Sequence, residues 1–524
     1  MNKIRPCLIY IFVFIAILPT IAMRDYTPDN ELKYLNIADE AIENSHVFAF
    51  YNHGEVYADK PPLYLWFVML GKILFGEHIM LFLSLFSVIP AFVTAHIMGK
   101  FVKGLMGERE ILYAKLMLFT TLFYLAPMIV LRMDMLMIMF ITLSFYCFYQ
   151  MYSLQDHTLP AFRKMQWLLP LWVFFAIFSK GAVGFLLPVI VIAVFLAVTG
   201  KIKSLGKYLG WRFWLLLAAL CGAWFTCVYI EGREEYLNNL LFHQTIDRAV
   251  DAFHHKKPVY YYFVVFWYIA APWSLLSVAS IIDGYRKRLI NNTFSKLSVT
   301  IFFTTVIMLS CISSKMEIYL LPAFPFMIFL AAYILGKGAK SALAYFSVAI
   351  VSFSYILIFA ATLFTCRIEE AAGMEIRLWA PLWVLALILL AGAVIALMEL
   401  RKKQLLRSAG ILSASLLLFL FAASFSITSF NSIIGMRNGC EKAAELAKEI
   451  GTDKYLYYDF SSGINFNVYL GKPVEKVNQE QLPEIEKAIL FIKTRSIPKD
   501  TLLMEAIGEK EIITYGTYSI IPFN

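Results

Sequence analysis

Along this chain, apolar runs of roughly 17 to 25 residues recur between short polar stretches, each long enough to cross about 30 Å of hydrocarbon as a helix. They fall near residues 6–23, 78–98, 111–131, 135–153, 166–179, 182–199, 212–230, 262–281, 297–312, 318–336, 342–364, 379–399 and 409–430. Period-two alternation is weak, which argues against a barrel, and lipid tolerates only helices or closed barrels because every backbone polar group must be paired. The pattern therefore predicts an all-α polytopic membrane bundle of about thirteen transmembrane helices over residues 1–430. Residues 431–524 depart from it: Cys440 to Ile450 has helical periodicity, Tyr455 to Asp459 and Ala488 to Lys493 read as strands, and Gly463 and Gly471-Lys472-Pro473 mark turns. A small α/β domain outside the membrane is expected there.

Polar residues then fix a topology. With a cytoplasmic N-terminus, the inside loops carry Lys3 and Arg5, Lys100 and Lys103, Arg163 and Lys164, Lys201, Lys203 and Lys207, Arg286 to Arg288, Lys337 and Lys340, and Arg401 to Arg407. This is the positive-inside distribution, and it puts the C-terminal domain outside. The net charge of +9 is thus a topology signal, and no aromatic-interleaved basic patch points to nucleic acid. Charged residues make up only 16% of the chain against 60% hydrophobic ones, a balance outside that of soluble domains. The first span has a signal-like basic start but no small-residue cleavage site before Arg24, so an anchor is expected. The seven cysteines show no zinc spacing; only Cys366 and Cys440 fall outside, as the pair an outer disulfide would use.

The outer side also collects the unusual residues. The first outer loop, 24–66, carries Asp25, Asp29, Glu31, Lys33, Asp39, Glu40, Glu43, Glu55, Asp59 and Lys60, the last two before Pro61-Pro62. Later outer loops hold Arg132-Met133-Asp134, Ser179-Lys180-Gly181, His254-His255-Lys256-Lys257-Pro258 and Lys315 to Tyr319. Singly, each lysine reads as a snorkelling end residue and each tyrosine as part of an interfacial belt. Jointly they favour a site for a charged substrate at the membrane surface.

In this order, together with Pro28 to Tyr34 and Ala271-Pro272-Trp273, these motifs resemble the lipid-linked-sugar glycosyltransferases of C-type membrane fold. The likeness is nearest the aminoarabinose transferase branch, related to the protein O-mannosyltransferases. It implies an inverting transferase that moves a sugar from a polyprenyl phosphate to an acceptor (a lipid A-like glycolipid, a protein or a glycan) on the outer, periplasmic face of the cytoplasmic membrane. Asp29, Glu31 and Asp134 are then the candidate catalytic acids. The family's Asp-Glu-x-Arg-Tyr pattern is altered: aligned on Tyr34 its acid falls on Asn30 and its Arg on Lys33, whereas aligned on Pro28 its acid falls on Asp29, the preferred base because an amide takes no proton. The resemblance further implies that Lys60, Lys180, Lys315 and Tyr319 face the donor phosphate. By the same likeness Asp59 and His255, with His254 alongside, would share a divalent metal, zinc or magnesium. The alternatives are a transporter or lipid flippase, which the number of spans also suits, and a non-catalytic polyprenyl-phosphate-binding relative, kept open by Asn30. Charges confined to outer loops and the absence of repeated halves weigh against a transporter.

Overall fold

The structure is a computed structural model that describes residues 7–154, 156–241, 257–339, 341–364 and 380–523. Its helices, in chain order, are α1 (Leu8–Met23), α2 (Glu31–Glu43), α3 (Leu63–Phe75), α4 (Met80–Phe101), α5 (Glu108–Phe119), α6 (Leu122–Ile129), α7 (Asp134–Ser153), α8 (Pro160–Lys180), α9 (Val183–Val198) and α10 (Trp211–Asn238). They continue as α11 (Tyr261–Ile269), α12 (Ser274–Arg286), α13 (Thr293–Cys311), α14 (Phe324–Gly336), α15 (Ala342–Thr362), α16 (Leu382–Arg401), α17 (Leu405–Ser424) and α18 (Arg437–Ile450).

The described residues of the expected spans are largely helical, as a membrane bundle requires, but fewer helices qualify as spans than the thirteen expected. Among the described residues, eight helices are long and apolar enough to cross a membrane, or up to ten if each of two bent pairs is one span. The bent pairs are α5 with α6, at 68°, and α11 with α12, at 111°. Two spans that the sequence presents as continuous are therefore broken, the first at Thr120-Thr121 and the second at Ala270 to Trp273. The breaks are held from the side: the Trp273 indole N–H donates to Thr120 Oγ1 at 3.0 Å, and Leu122 N–H donates to the Ala271 carbonyl at 2.8 Å. Each break thus satisfies polar groups freed by the other, which is what makes broken helices tolerable in lipid.

Nearly all of α14 is buried, packed against α4, α5, α12, α13 and α17. Small residues allow close approach elsewhere; a Cβ on Gly184 of α9 would lie 2.3 Å from the Ala176 carbonyl carbon of α8, so only glycine fits that crossing.

The first outer segment is an ordered layer. Tyr51–Asn52 (β1) and Glu55–Val56 (β2) pair antiparallel through a two-residue turn, His53-Gly54, with φ of 55° and 79°. Positive φ at both positions is the backbone that matches hairpin twist. Glu40 on α2 accepts the turn's N–H groups, from His53 at 2.7 Å and Gly54 at 2.9 Å.

The C-terminal unit is a five-stranded sheet of β3 (Tyr455–Tyr458), β4 (Val474–Lys476), β5 (Ala488–Lys493), β6 (Ile513–Tyr515) and β7 (Tyr518–Phe523), in the order β4-β3-β5-β7-β6. The first three are parallel and the last two antiparallel. The two strands read from sequence, β3 and β5, are its buried centre. The sheet unit is fastened to the first outer segment by Asp25. Its carboxylate accepts from Arg437 N at 2.8 Å and from the Tyr469 hydroxyl, while Asn431 bridges Asp25 N and the Met23 carbonyl, each at 2.9 Å. Cys440 is buried within α18, and Cys366 lies outside the described residues.

Candidate functional site: an acidic outer segment beside a lipid-sized cavity

An ion pair organises the outer face. Arg24 leaves α1 and meets Glu31, the first residue of α2, through two hydrogen bonds of 2.5 and 2.7 Å. Glu31 is 0% exposed and also accepts from Thr27 N at 2.7 Å and from Leu131 N at 2.6 Å; Arg24 in turn donates to the Ile129 carbonyl at 2.9 Å. The α1–α2 junction and the α6–α7 loop are thereby one unit. Buried and bonded to Arg24 and to two backbone N–H groups, Glu31 anchors this junction.

That unit positions Asp134, the first residue of α7 and only 1% exposed. Its carboxylate accepts from Arg132 Nε at 3.0 Å and pairs with Lys180 Nζ. Lys180 closes α8 and is held at its tip by Gly181, whose φ of 85° and ψ of −149° suit only glycine. The ammonium lies 5.2 Å from the centre of the Tyr319 ring, a cation–π distance. Two cations around one buried carboxylate fix it in direction. Beside it, burial pushes the Tyr34 phenol up to about 12, with Arg132 opposing and the carboxylates of Asp134, Asp59 and Glu31 adding to the rise. Tyr34 is therefore a neutral hydrogen-bonding group at physiological pH.

Asp29 and Asn30 lie elsewhere. Both are exposed, just before α2, and Asp29 faces the C-terminal sheet, where, after burial itself, its charge is the next influence raising the Tyr518 phenol. Lys33, at the place of the family's Arg, sits 4.6 Å from the centre of the Tyr57 ring.

Next to this acidic layer is a cavity of about 720 Å³. Asp59, Lys60, Lys180, Ser314 and Tyr319 form its polar part, and Met137, Ile177, Leu186, Trp214, Leu217, Trp224, Phe225 and Leu309 are among its apolar walls, drawn from α7 to α10 and α13. A cavity lined by two lysines and by many apolar side chains on a membrane bundle fits an anionic headgroup on a hydrocarbon chain. Three of the four expected phosphate-facing residues, Lys60, Lys180 and Tyr319, meet there. Lys315 does not line the cavity; it is buried and donates to the Lys257 carbonyl at 3.1 Å and to the Ile312 carbonyl, tying together the segments that flank the site. His254 and His255 lie outside the described residues, and among the described residues no three His, Cys, Asp or Glu side chains come together to hold a metal. Asp59 alone falls short of the three or four protein ligands that a bound zinc takes.

Several participants carried no sequence signal strong enough to single them out. Ser314 flanks a named motif, whereas Trp214 and Trp224 are indistinguishable from other lipid-facing aromatics until α10 is placed.

Two comparisons bear on this arrangement. Residues 7–236 match the family model described as dolichyl-phosphate-mannose-protein mannosyltransferase. The crystal structure of ArnT from Cupriavidus metallidurans bound to undecaprenyl phosphate superposes with a TM-score of 0.76, covering 99% of this chain and 98% of that one at 15% identity. The chain has the C-type glycosyltransferase fold. The apo state of the same ArnT superposes with a TM-score of 0.75. By sequence, this C-type chain is 24% identical over 411 residues to the undecaprenyl phosphate-alpha-4-amino-4-deoxy-L-arabinose arabinosyl transferase of Shewanella sediminis (strain HAW-EB3), covering 75% of this chain and 71% of that protein. It is also 24% identical over 311 residues to an uncharacterised protein of Aquifex aeolicus (strain VF5), a match that spans 59% of each. The family model and the named relatives are glycosyltransferases, in accord with the resemblance carried by the motifs.

Proposed function

We propose that the chain is an inverting glycosyltransferase that moves a sugar from a polyprenyl-phosphate donor to an acceptor hydroxyl or amine at the outer, periplasmic face of the cytoplasmic membrane. The observation that carries this reading is the cavity, which Lys60, Lys180 and Tyr319 line together with a mostly apolar wall. The undecaprenyl-phosphate donor in the relatives' names and the protein acceptor in the family description support it. The acceptor is a lipid A-like glycolipid, a protein or a glycan.

In the reaction the acceptor oxygen or nitrogen forms a bond to the anomeric carbon as the carbon–oxygen bond to phosphate breaks. The leaving group is the polyprenyl phosphate, and the acceptor proton passes to a carboxylate. Lys60 and Lys180 meet the charge that grows on the departing phosphate, where preorganised cations lower the barrier most. As a compact point charge, lysine suits a phosphate. For the proton, Asp134 is favoured over Asp29, because Asp134 bonds directly to a cavity residue, Lys180, whereas Asp29 faces the C-terminal sheet. The divalent metal implied by the resemblance would be held by Asp59 and His255; with one described donor, every step here is carried by the chain's own side chains.

A transporter or flippase would also need a lipid-sized cavity, but it would need no buried acid locked to a phosphate-facing lysine. The expected result for Lys60→Ala is a drop of about 10-fold in affinity for a polyprenyl phosphate and no change for the corresponding polyprenol, measured with purified protein. Lys60→Arg should not restore it, since a planar guanidinium does not replace a compact ammonium. Equal affinities of wild type and the Ala variant for the phosphate lipid would refute the placement of the phosphate at Lys60.

A further inference from the structure

The outer end of α10 grips the length of chain that leads into the Lys60 turn. Tyr236 is 2% exposed; its hydroxyl accepts Phe50 N–H at 3.1 Å and donates to the Tyr57 carbonyl at 2.8 Å, two residues before Asp59. One turn earlier, the Glu231 carboxylate accepts three consecutive backbone N–H groups, from Val47 at 2.6 Å, Phe48 at 2.9 Å and Ala49 at 3.2 Å. Gly232 lets α10 lie directly on this strand, since a Cβ there would come within 2.8 Å of the Ala49 Cβ. On the opposite side the Trp66 indole N–H closes on the Val47 carbonyl at 2.6 Å.

We propose that Tyr236, with Glu231 behind it, is a positioning residue for the donor phosphate, acting through the backbone of residues 47–57 to fix where Lys60 points. The inference rests on the reading of Lys60 as a phosphate ligand. Lys60 and Lys180 reach the cavity from independent elements, the first outer segment and the tip of α8, so holding one phosphate between them requires the first to be registered against the bundle. Pro61-Pro62 restricts the backbone on the far side of Lys60. On the near side only Ala58 and Asp59 separate it from Tyr57, whose carbonyl the Tyr236 phenol holds. Upstream of a break at Arg233 (φ 58°, ψ −166°) the same segment forms the cavity wall through Trp214, Leu217 and Trp224, so Glu231 and Gly232 join the wall side of that break to residues 47–49 while Tyr236 holds the chain from its far side.

The test is a double-mutant cycle on binding of a polyprenyl phosphate and, separately, the matching polyprenol, using the full chain in detergent or nanodiscs. Tyr236→Phe keeps the ring and removes the hydroxyl; it should weaken phosphate-lipid binding by about 10-fold, leave polyprenol binding unchanged, and add little in a Lys60→Ala background. Glu231→Gln, which preserves shape, should shift affinity in the same direction by less. Equal weakening for both lipids, or a full loss on top of Lys60→Ala, would overturn the inference by reducing Tyr236 to a packing residue while leaving the Lys60 reading intact. No effect of Lys60→Ala by itself would instead remove the reading on which the inference rests.

Discussion

Asp134→Asn should reduce turnover by about 10²- to 10⁴-fold while leaving the protein inserted and able to bind the phosphate lipid. The change keeps volume and removes the charge that Lys180 and Arg132 enclose. On the proposed reading it takes away the carboxylate that receives the acceptor proton, while the amide oxygen still gives Lys180 a hydrogen-bond partner beside Tyr319. The competing placement of the base on the first outer segment makes the opposite forecast. If Asp29 were the base, Asp29→Asn would show the large loss and Asn30→Asp would hold or raise activity. The geometry predicts near-normal turnover for Asp29→Asn, because Asp29 is exposed and faces the C-terminal sheet. Steady-state kinetics on the three variants, with lipid binding measured in parallel, separates the two.

The largest effect on stability is expected for Arg24→Met. Glu31 is fully buried, and without the guanidinium it keeps only the N–H groups of Thr27 and Leu131. Leaving a buried charge without its partner costs about 3–5 kcal/mol. The loss should appear as a clear fall in thermal stability in detergent, together with loss of activity, since the same pair fixes the loop leading to Asp134. The double variant Arg24→Met with Glu31→Leu removes both charges and should recover much of the stability, because replacing a buried pair by apolar groups is often close to neutral. Recovery of stability without recovery of turnover would separate the two duties of this pair. A thermal profile of Arg24→Met equal to that of wild type would contradict the anchoring role.

What could be read in the sequence follows from what is periodic. Spans were legible because crossing hydrocarbon demands a length and an apolarity that no other element shares. The breaks inside two of them were not, although Pro272 marks the second: Thr120-Thr121 and Ala270 to Trp273 are compensated by each other across the bundle, through the Trp273–Thr120 and Leu122–Ala271 bonds, a pairing that no local pattern encodes. The first outer segment was legible as the place of chemistry, but read as a charged loop it hid a helix, a hairpin and a buried ion pair. Glu31 and Lys315 show why residue type alone misleads at such a site. Each is charged and lies in the right motif, yet Glu31 spends its oxygens on Arg24 and two backbone N–H groups, and Lys315 its ammonium on two carbonyls. Lys60, Lys180 and Tyr319, expected to face a phosphate, line the cavity; their motifs sit at or beside helix ends, where the fold has few places to put a charge. The apolar walls became visible only once α10 was laid beside α8 and α9.

The central claim, transfer of a sugar off a polyprenyl phosphate, is tested most directly by mass analysis of the envelope glycolipids, glycoproteins and lipid-linked sugars of cells that carry the wild-type chain, the Asp134→Asn chain or none. The account predicts one class of acceptor that gains a sugar mass only with the wild-type chain. In the other two strains a polyprenyl-phosphate sugar of the same composition should accumulate. Identical acceptor profiles in all three strains, or a sugar-bearing acceptor that persists with the Asp134→Asn chain, would contradict it.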